Sequence, residues 1–227
     1  PLPGRLKLIT RAGIPKDFPA SVNDGVTRKW KWAVGTGQDQ FLVVDSEGEL
    51  IQLQYRAKPT PHLFRMNTQP LKSPLDLSPR VHRDRVTLVS AEGRLLVLGR
   101  TDLQVQLETQ LKVPATAGPW LFGNRVLVET GGKTLTCLDL ADNLKPAWSL
   151  DLKGQSLAGV PLETDGRLVV AQHQGTVFTV DIASGKIGRT LELGQPIQLG
   201  PRMFGKNILV TSIDGTLYRV ESLLAGE

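Results

Sequence analysis

The stretch that decides the fold is NILVTSIDGTLYRV, residues 207–220. Ile208–Val210 is an apolar run, and Leu217–Val220 alternates apolar and polar side chains. Between them lies Asp214–Gly215, a residue pair that readily adopts the positive φ of a tight turn. Two strand-like runs joined by such a turn predict a β-hairpin.

The same hairpin pattern recurs five times along the chain. Apolar runs begin at Phe41, Val86, Val126, Leu168 and Ile208, and turn glycines follow at Gly48, Gly93, Gly132, Gly175 and Gly215. A proline lies seven residues before each of the last four runs, at Pro79, Pro119, Pro161 and Pro201. The glycines are 45, 39, 43 and 40 residues apart, so the chain is an array of repeats of about 40 residues.

Each repeat also contains a third apolar run after its hairpin. These runs are His62–Met66, Leu103–Leu107, Ala147–Leu150 and Ile187–Leu191. A shorter fourth stretch, such as Pro196–Leu199, leads into the next proline. Four short antiparallel strands in about 40 residues predict the blade of an all-β β-propeller.

The two ends of the chain bear on whether the propeller closes. Leu6–Thr10 is a strand-like run with no hairpin before it, Val26–Trp32 is a second candidate strand, and the last repeat stops after its hairpin. Strands from both ends would together complete one blade and remove its open edges. We therefore expect residues 1–227 to be a single domain of five four-stranded blades, cut from a longer protein. The alternative is an arc of a seven- or eight-bladed propeller.

Composition excludes several classes of protein. The 227 residues are 40% hydrophobic and 22% charged, which is too apolar for a disordered chain, and no apolar run reaches the roughly 18 residues that span a bilayer. Lys and Arg number 27 against 22 Asp and Glu, and these charges are spread rather than interleaved with aromatic side chains. We therefore expect neither nucleic-acid binding nor insertion into a membrane. A single cysteine and three separated histidines predict no disulfide and no metal site.

Two repeats carry a recognisable motif. Val180–Lys186 reads VDIASGK, with Asp181 at the end of a strand and a Ser-Gly turn after it, while Leu138–Asn143 reads LDLADN and runs on to Trp148. This pattern resembles the pyrroloquinoline-quinone-like (PQQ-like) repeat of quinoprotein dehydrogenases and of BamB-type outer-membrane assembly factors. In that motif the aspartate accepts N–H groups of the turn, and the tryptophan packs on the adjoining blade. Arg189 occupies the tryptophan position of the other repeat.

The resemblance implies the fold but not the quinone cofactor. The enzymes of the family hold the quinone against a vicinal Cys-Cys disulfide beside a calcium site, whereas this chain has only Cys137, and no calcium-loop spacing is visible. A glycosidase on a propeller would need two facing carboxylates. The apolar runs that we take as the innermost strands contain no acid. The candidate acids lie at the ends of these runs or in the turns that follow: Asp45, Glu92, Glu129 and Asp214. We expect no cofactor and no catalysis.

The expected function is therefore that of a non-catalytic, WD40-like binding or scaffolding module, a monomer with protein partners on its propeller faces. The candidate interaction surface comprises Trp30, Trp32, Arg56, Arg65, Arg80, Arg83 and Arg85, because Trp and Arg are enriched at interfaces. Trp30 and Trp32 lie two residues apart, so alternation predicts that they share one strand face and serve blade packing. The alternatives are a BamB-like envelope assembly factor, which would favour the cell envelope, and a quinone- or sugar-processing enzyme.

Overall fold

A computed structural model describes residues 29–37, 39–59 and 62–220, and the backbone of residues 7–9 and 15–17. The chain divides into two compact units, Pro1–Gln110 and Leu111–Glu227. Every regular element in the described ranges is a β-strand, numbered β1 to β21 below. These ranges contain no helix that is long and apolar enough to cross a membrane.

The first unit contains one small sheet and two four-stranded antiparallel sheets. The small sheet pairs β1 (Lys7–Ile9) with β2 (Pro15–Asp17). Sheet 1 contains β3 (Trp30–Gly37), β4 (Gln40–Asp45), β5 (Glu49–Arg56) and β6 (His62–Pro70). Sheet 2 contains β7 (Arg80–His82), β8 (Arg85–Val89), β9 (Arg94–Gly99) and β10 (Val105–Gln110).

The second unit contains three further antiparallel sheets, each with its strands in sequence order. Sheet 3 contains β11 (Ala115–Phe122), β12 (Arg125–Thr130), β13 (Thr134–Asp139) and β14 (Lys145–Asp151). Sheet 4 contains β15 (Leu162–Thr164), β16 (Arg167–Ala171), β17 (Thr176–Asp181) and β18 (Ile187–Glu192). Sheet 5 contains β19 (Ile197–Phe204), β20 (Asn207–Ser212) and β21 (Leu217–Arg219).

The predicted hairpins are confirmed. All five turn glycines lie between the second and third strands of a sheet and have positive φ: 85° at Gly48, 82° at Gly93, 64° at Gly132, 109° at Gly175 and 87° at Gly215. Gly48 has a second constraint, because a Cβ atom there would collide with the carbonyl oxygen of Ser73. The alternating and apolar runs therefore fold as the sequence indicates, in sheets of up to four strands.

The order of strands within a sheet differs from the expectation in one respect. The stretch that leads into Pro201 is the beginning of β19, which pairs with β20 and not with β18. β11 likewise spans Pro119, whereas β7 and β15 begin directly after Pro79 and Pro161. The runs taken as innermost, such as those beginning at Phe41 and Ile208, are consequently second in their sheets, with a neighbour on each side. A strand that lines a propeller channel must be an edge strand of its blade, so that assignment is wrong.

The pairing of the N-terminal strand is also different from the expectation. Lys7–Ile9, from the run Leu6–Thr10, pairs with Pro15–Asp17 and does not extend sheet 5. Of the candidate strand Val26–Trp32, residues 26–28 lie outside the described residues, and the remainder begins β3, which is paired with β4. Sheet 5 has three strands in the described part of the chain, and closure at five blades stays a prediction.

Apolar side chains hold the sheets of each unit together. In the first unit, Leu42, Val44 and Leu50 of sheet 1 share a cluster with Val86 and Leu98 of sheet 2. In the second unit, one cluster joins sheets 3 and 4 and another joins sheets 4 and 5. The second strands of sheets 1 to 4 each have four consecutive buried residues, so side chains on both sides of these strands are buried.

The PQQ-like motif forms the contact between sheets 3 and 4. The indole N–H of Trp148 donates a hydrogen bond to the carbonyl oxygen of Ile182 at 3.0 Å. The ring lies over the turn that follows, where a Cβ atom on Gly185 would be 2.5 Å from an indole carbon. Asp181 accepts hydrogen bonds from the Ser184 hydroxyl (2.6 Å) and backbone N–H (2.8 Å), which lower the pKa of its carboxyl. The roles expected of Trp148 and Asp181 are confirmed.

A buried polar side chain three residues before each turn glycine is a second shared feature. The five residues are Asp45, Ser90, Glu129, Gln172 and Ser212, each at most 6% exposed. The short ones bond within their own turns; Asp45, for example, accepts the N–H groups of Glu47 and Glu49. The long ones reach the segment between sheets 3 and 4. Glu129 accepts the N–H of Leu157 at 3.0 Å, and Gln172 donates to the carbonyl oxygens of Leu152 (3.0 Å) and Gln155 (3.3 Å).

Replacing Trp148 by alanine should destabilise the protein. Trp148→Ala removes the ring from the Ser184–Gly185 turn and should lower the free energy of unfolding by about 3 kcal/mol, the low end for a large aromatic because this one is half-buried. Trp148→Phe keeps a ring and loses the bond to Ile182, at a cost of about 1 kcal/mol. Denaturant unfolding measures both losses. An unchanged midpoint for Trp148→Ala would reject the packing role.

Glu129 should be required for stability although it lies next to a turn, near the end of β12. Glu129→Leu leaves the Leu157 N–H without its acceptor and removes the carboxylate that the Thr116 hydroxyl binds, and should cost about 2–4 kcal/mol of unfolding free energy. Glu129→Gln keeps a carbonyl acceptor and should cost about 1 kcal/mol. The control is Glu92→Gln, an exposed acid beside a turn glycine, which should leave the thermal midpoint unchanged. Equal midpoints for Glu129→Leu and the control would contradict this role.

Candidate functional site

One end of sheets 1 and 2 brings together four loops. In an antiparallel sheet with its strands in sequence order, the turn between strands one and two and the loop between strands three and four lie at the same end. Hydrogen bonds connect the β9–β10 loop with the β7–β8 turn and with strands β3 and β6 of sheet 1. The N–H of Arg100 donates to the carbonyl oxygen of Asp84 (2.8 Å), its guanidinium donates to that of Thr36 (2.9 Å), and Asn67 donates to that of Thr101 (2.8 Å). The loops therefore form one surface within the first unit.

This surface, here called the basic loop end, carries an excess of positive charge. Its described residues include six basic and three acidic side chains: Arg56, Lys58, Arg80, Arg83, Arg85 and Arg100, with Asp39, Asp84 and Asp102. Arg56, Lys58, Arg80 and Arg83 are exposed, whereas Arg85 and Arg100 are half-buried. A cluster of exposed guanidinium groups suits a partner that presents carboxylates.

Arg56 at this end is held in place. The guanidinium carbon of Arg56 lies 3.4 Å from the centroid of the Phe64 ring, and its Nε donates to Gln54 at 3.2 Å. A fixed guanidinium loses less conformational entropy on binding than a mobile one, so this position favours recognition. Arg83 is exposed at the tip of the turn between β7 and β8.

Charges at the opposite end of the first unit are engaged with one another. Lys31 pairs with Asp76 at 3.0 Å, and Arg94 pairs with Glu108 at 2.8 Å. Arg65, a predicted surface residue, is half-buried and binds Glu49 (3.1 Å) and the hydroxyl of Thr68 (2.7 Å). The structure therefore separates Arg65 from the basic loop end, although the sequence grouped it with Arg56.

The predicted tryptophan pair packs within sheet 1. Paired residues of neighbouring strands share a face. Trp30 is opposite Asp45 and packs with Ile51 on one face, while Trp32 is opposite Val44 on the other. A register shift between the two tryptophans places them on opposite faces, so the expectation of a shared face is wrong. Trp32 also donates its indole N–H to the carbonyl oxygen of Leu75 at 3.2 Å. Both residues are half-buried and serve packing, as expected.

The candidate catalytic carboxylates have structural partners or are exposed in turns. Asp45 closes its own turn, and Glu129 binds the Thr116 hydroxyl at 2.9 Å as well as the Leu157 N–H. Glu92 is exposed. Asp214 is exposed and accepts hydrogen bonds from the Ser212 hydroxyl and from the N–H of Thr216, which lower the pKa of its carboxyl. The two buried acids are therefore used to fix the backbone.

The residues present do not fit the quinone site of the enzymes that share the repeat. Cys137 is the single cysteine of the sequence, so a Cys-Cys disulfide cannot form. Its side chain is buried, and burial raises the pKa of the thiol to about 12. It fills the core between sheets 3 and 4 as a small apolar group. Within the described ranges, His, Cys, Asp and Glu side chains form no group of three that could hold a metal ion.

Comparison with protein families and solved structures agrees with the geometry. A family model described as the outer membrane protein assembly factor BamB matches residues 145–224, the stretch that contains Trp148 and the Asp181 turn. A search of curated protein sequences gave no significant match. Many solved chains have a similar fold.

Three of these structures show the extent of the similarity. BamB from Moraxella catarrhalis has a TM-score of 0.67 and 15% identity, with 86% of this chain covering 58% of that one. Sqt1 from Saccharomyces cerevisiae has a TM-score of 0.65 and 10% identity, covering 84% of this chain and 57% of that one. BBS1N, solved in complex with ARL6DN, has a TM-score of 0.64 and 17% identity, covering 91% and 68%. The chain thus spans less than three fifths of the first two relatives.

These results confirm the fold class and the resemblance inferred from the repeats. The sheets have the strand order and period of propeller blades, and the matched stretch contains the motif that first indicated the family. The chain is a protein of β-propeller fold whose residues 145–224 are similar to the PQQ-like repeat of BamB.

Proposed function

We propose that the chain is a non-catalytic protein-binding module and that its partner presents an acidic segment to the basic loop end. The observation that carries the proposal is the charge of that end, six basic against three acidic side chains on loops and strand ends, where hydrogen bonds connect sheet 2 with sheet 1. Such a surface attracts an acidic partner over a distance and then binds it through charge-assisted hydrogen bonds.

Relatives of the same fold support a role in protein assembly. The family that matches residues 145–224 is described as an outer membrane protein assembly factor, and BBS1N was solved in complex with ARL6DN. At 15% and 17% identity these proteins share the fold with this chain. They support binding of proteins in general, and the acidic character of the partner rests on this chain's own residues.

A BamB-like role in the cell envelope is the second candidate. The observation that favours it is the match of residues 145–224, which includes the Trp148 contact and the Asp181 turn. The two candidates agree that the partner is a protein. They differ in compartment, because an assembly factor of this kind would act on outer-membrane proteins.

The absence of catalysis is part of the same proposal. It is supported by the roles of the groups that could act in a reaction. Asp45 and Glu129 hold backbone N–H groups, and the thiol of Cys137 is buried with a raised pKa. A buried protonated thiol is a poor nucleophile at neutral pH.

Site-specific photo-crosslinking in cells of the source organism tests the proposed surface. A benzophenone amino acid replaces Lys58 at the basic loop end or Lys72, an exposed lysine at the opposite end of the same unit. We expect a protein adduct at position 58 and little at position 72. The variant R56Q/R83Q should lower the yield at position 58 about tenfold, since each exposed charge pair contributes up to about 1 kcal/mol.

The matched control is K29Q/K72Q, which removes the same charge from exposed residues at the opposite end. It should leave the adduct at position 58 unchanged. An adduct that forms only at position 72, or one that both double variants weaken equally, would contradict the assignment of the surface. No protein adduct at either position would contradict the binding function.

A further inference from the structure

Arg56, at the basic loop end, is oriented by two uncharged side chains. Its guanidinium carbon lies 3.4 Å from the centroid of the Phe64 ring, which is a stacking distance for a cation on an aromatic face. Its Nε–H donates a hydrogen bond to the side-chain oxygen of Gln54 at 3.2 Å. Together these two contacts set the position and the direction of the guanidinium group.

The register of sheet 1 brings the three side chains together. Gln54 and Arg56 are two residues apart on β5 and therefore project from the same face of the sheet. Phe64 pairs with Gln54 and is the diagonal neighbour of Arg56 on that face. Gln52 projects from the same face, and its amide donates to the carbonyl oxygen of Arg100 in sheet 2 at 3.1 Å. Arg56 thus lies on the face of sheet 1 that looks toward sheet 2, at the end of β5.

The contacts of Arg56 leave the outer edge of its guanidinium group unused. A guanidinium has donors at Nε and at both terminal nitrogens, and within the described residues only the Nε donor is hydrogen-bonded here. Arg56 is exposed, and so are Ala57, Lys58 and Pro59, which follow it. The terminal nitrogens therefore offer parallel N–H groups to solvent. This is the edge that binds both oxygens of a carboxylate in an end-on pair.

The charge of Arg56 is not balanced, in contrast to that of other arginines that are held in place. Arg65, Arg94 and Arg125 each pair with an acid, at 3.1, 2.8 and 2.6 Å. Arg100 donates to a backbone carbonyl oxygen, but it is half-buried. Arg56 is exposed, is held by neutral groups and forms no ion pair with an acid in the part of the chain that the structure describes.

We propose that Arg56 is the anchor of the basic loop end and binds one carboxylate of the acidic segment end-on, through its two terminal nitrogens. Phe64 and Gln54 are positioning residues, which hold the guanidinium in the orientation that this pair needs. The inference rests on the proposed function and deepens it, because it names the recognised group and the residue that recognises it. Since the orientation is fixed before binding, the pair costs less side-chain entropy than a pair with an arginine that lacks such contacts.

A lysine at position 56 distinguishes a fixed fork from a mere positive charge. The ammonium group of a lysine is a point charge, whereas the planar guanidinium matches both carboxylate oxygens at once. Arg56→Lys therefore keeps the charge of the surface and removes the paired donors. If the basic loop end attracted its partner by charge alone, this substitution would have no effect.

The yield of the photo-crosslinked adduct at position 58 tests the anchor. Arg56→Lys should lower that yield about fivefold, as much as Arg56→Gln does, because the paired donors are lost in both. Arg83→Lys makes the same change at an exposed arginine of the same end and should lower the yield at most about twofold. Thermal melts show that each variant is folded. An adduct that keeps its wild-type yield in Arg56→Lys overturns the anchor and leaves the proposed function standing.

Gln54→Glu tests the positioning of the guanidinium. The introduced carboxylate would pair with Arg56 and occupy it, so the yield at position 58 should fall about tenfold. Gln104→Glu adds the same charge at an exposed residue of the β9–β10 loop, at the same end, and should lower the yield at most about twofold. Phe64→Leu should lower the yield about threefold, and Phe64→Tyr, which keeps an aromatic ring, should restore it. Equal yields in Gln54→Glu and Gln104→Glu would show that only total charge counts and would overturn the positioning role.

Nuclear magnetic resonance of the arginine side chains separates the anchor from the binding function in cells. The Nε–H signal of Arg56, identified by its loss in Arg56→Lys, should shift when the full chain is titrated with hexaglutamate capped at both ends. An unshifted signal, with an adduct still formed at position 58, would overturn the anchor alone. A capped phosphoserine peptide of equal charge that shifts the signal at a lower concentration than hexaglutamate would assign the edge to phosphate and overturn the carboxylate.

Discussion

One backbone hydrogen bond recurs in all five sheets and fixes where each begins. It joins the turn between the second and third strands to the segment that leads into the first strand. The donors and acceptors are Ser46 and Lys29 (2.8 Å), Ala91 and Pro74 (2.8 Å), Gly131 and Pro114 (3.1 Å), His173 and Ser156 (3.1 Å), and Ile213 and Pro196 (3.0 Å). The segment that leads into the first strand of a sheet is called its connector below. Because this bond holds the connector against the turn of its own sheet, a repeat of about 40 residues becomes one structural unit. The buried polar residue three positions before the turn glycine reinforces the closure. Gln172 binds the connector of its own sheet, and Glu129 of sheet 3 binds the connector that leads into sheet 4.

Each sheet has two faces, which pack on neighbouring sheets, and two ends, where the loops lie. The faces hold the fold together, and the loops at one end of the first unit carry the proposed binding surface. Where two sheets stack, apolar residues of both sheets are buried between them. Between sheets 3 and 4, Trp148 adds a specific hydrogen-bonded contact. Sheet 5 has the same residue positions, and Leu199 and Leu217 in its outward row are exposed. Some loop residues join this packing, as Leu103 of the β9–β10 loop does. The exposed side chains of the loops do not, and in the first unit they give the basic loop end its charge.

Much of the fold could be predicted from the sequence, because its signals are local. Turn glycines with positive φ, alternating strands and the Asp181 turn depend on residues a few positions apart. The sheet boundaries could not be read in the same way. A strand between two sheets has the same sequence pattern whether it is the last strand of one or the first strand of the next. Only its pairing with β20 shows that β19 begins sheet 5.

The prediction that Trp30 and Trp32 share a face failed because a single register shift reverses the alternation of side chains. Arg56 and Arg83 come together through loop topology, and the paired state of Arg65 depends on Glu49 sixteen residues away. The buried position before each glycine had a sequence signal, because a polar residue follows the apolar run three residues before each turn glycine.

The closure of each sheet on its connector is the central claim, and native-state hydrogen exchange tests it most directly. The five donor amides include those of His173 and Ile213, whose side chains are exposed, so exposure alone would predict rapid exchange. We predict that all five amides exchange as slowly as amides in the centres of their own sheets, because a hydrogen-bonded N–H exchanges only when its surroundings open. Exchange of these amides at the rate of an unstructured chain, while the strand centres remain protected, would contradict the claim.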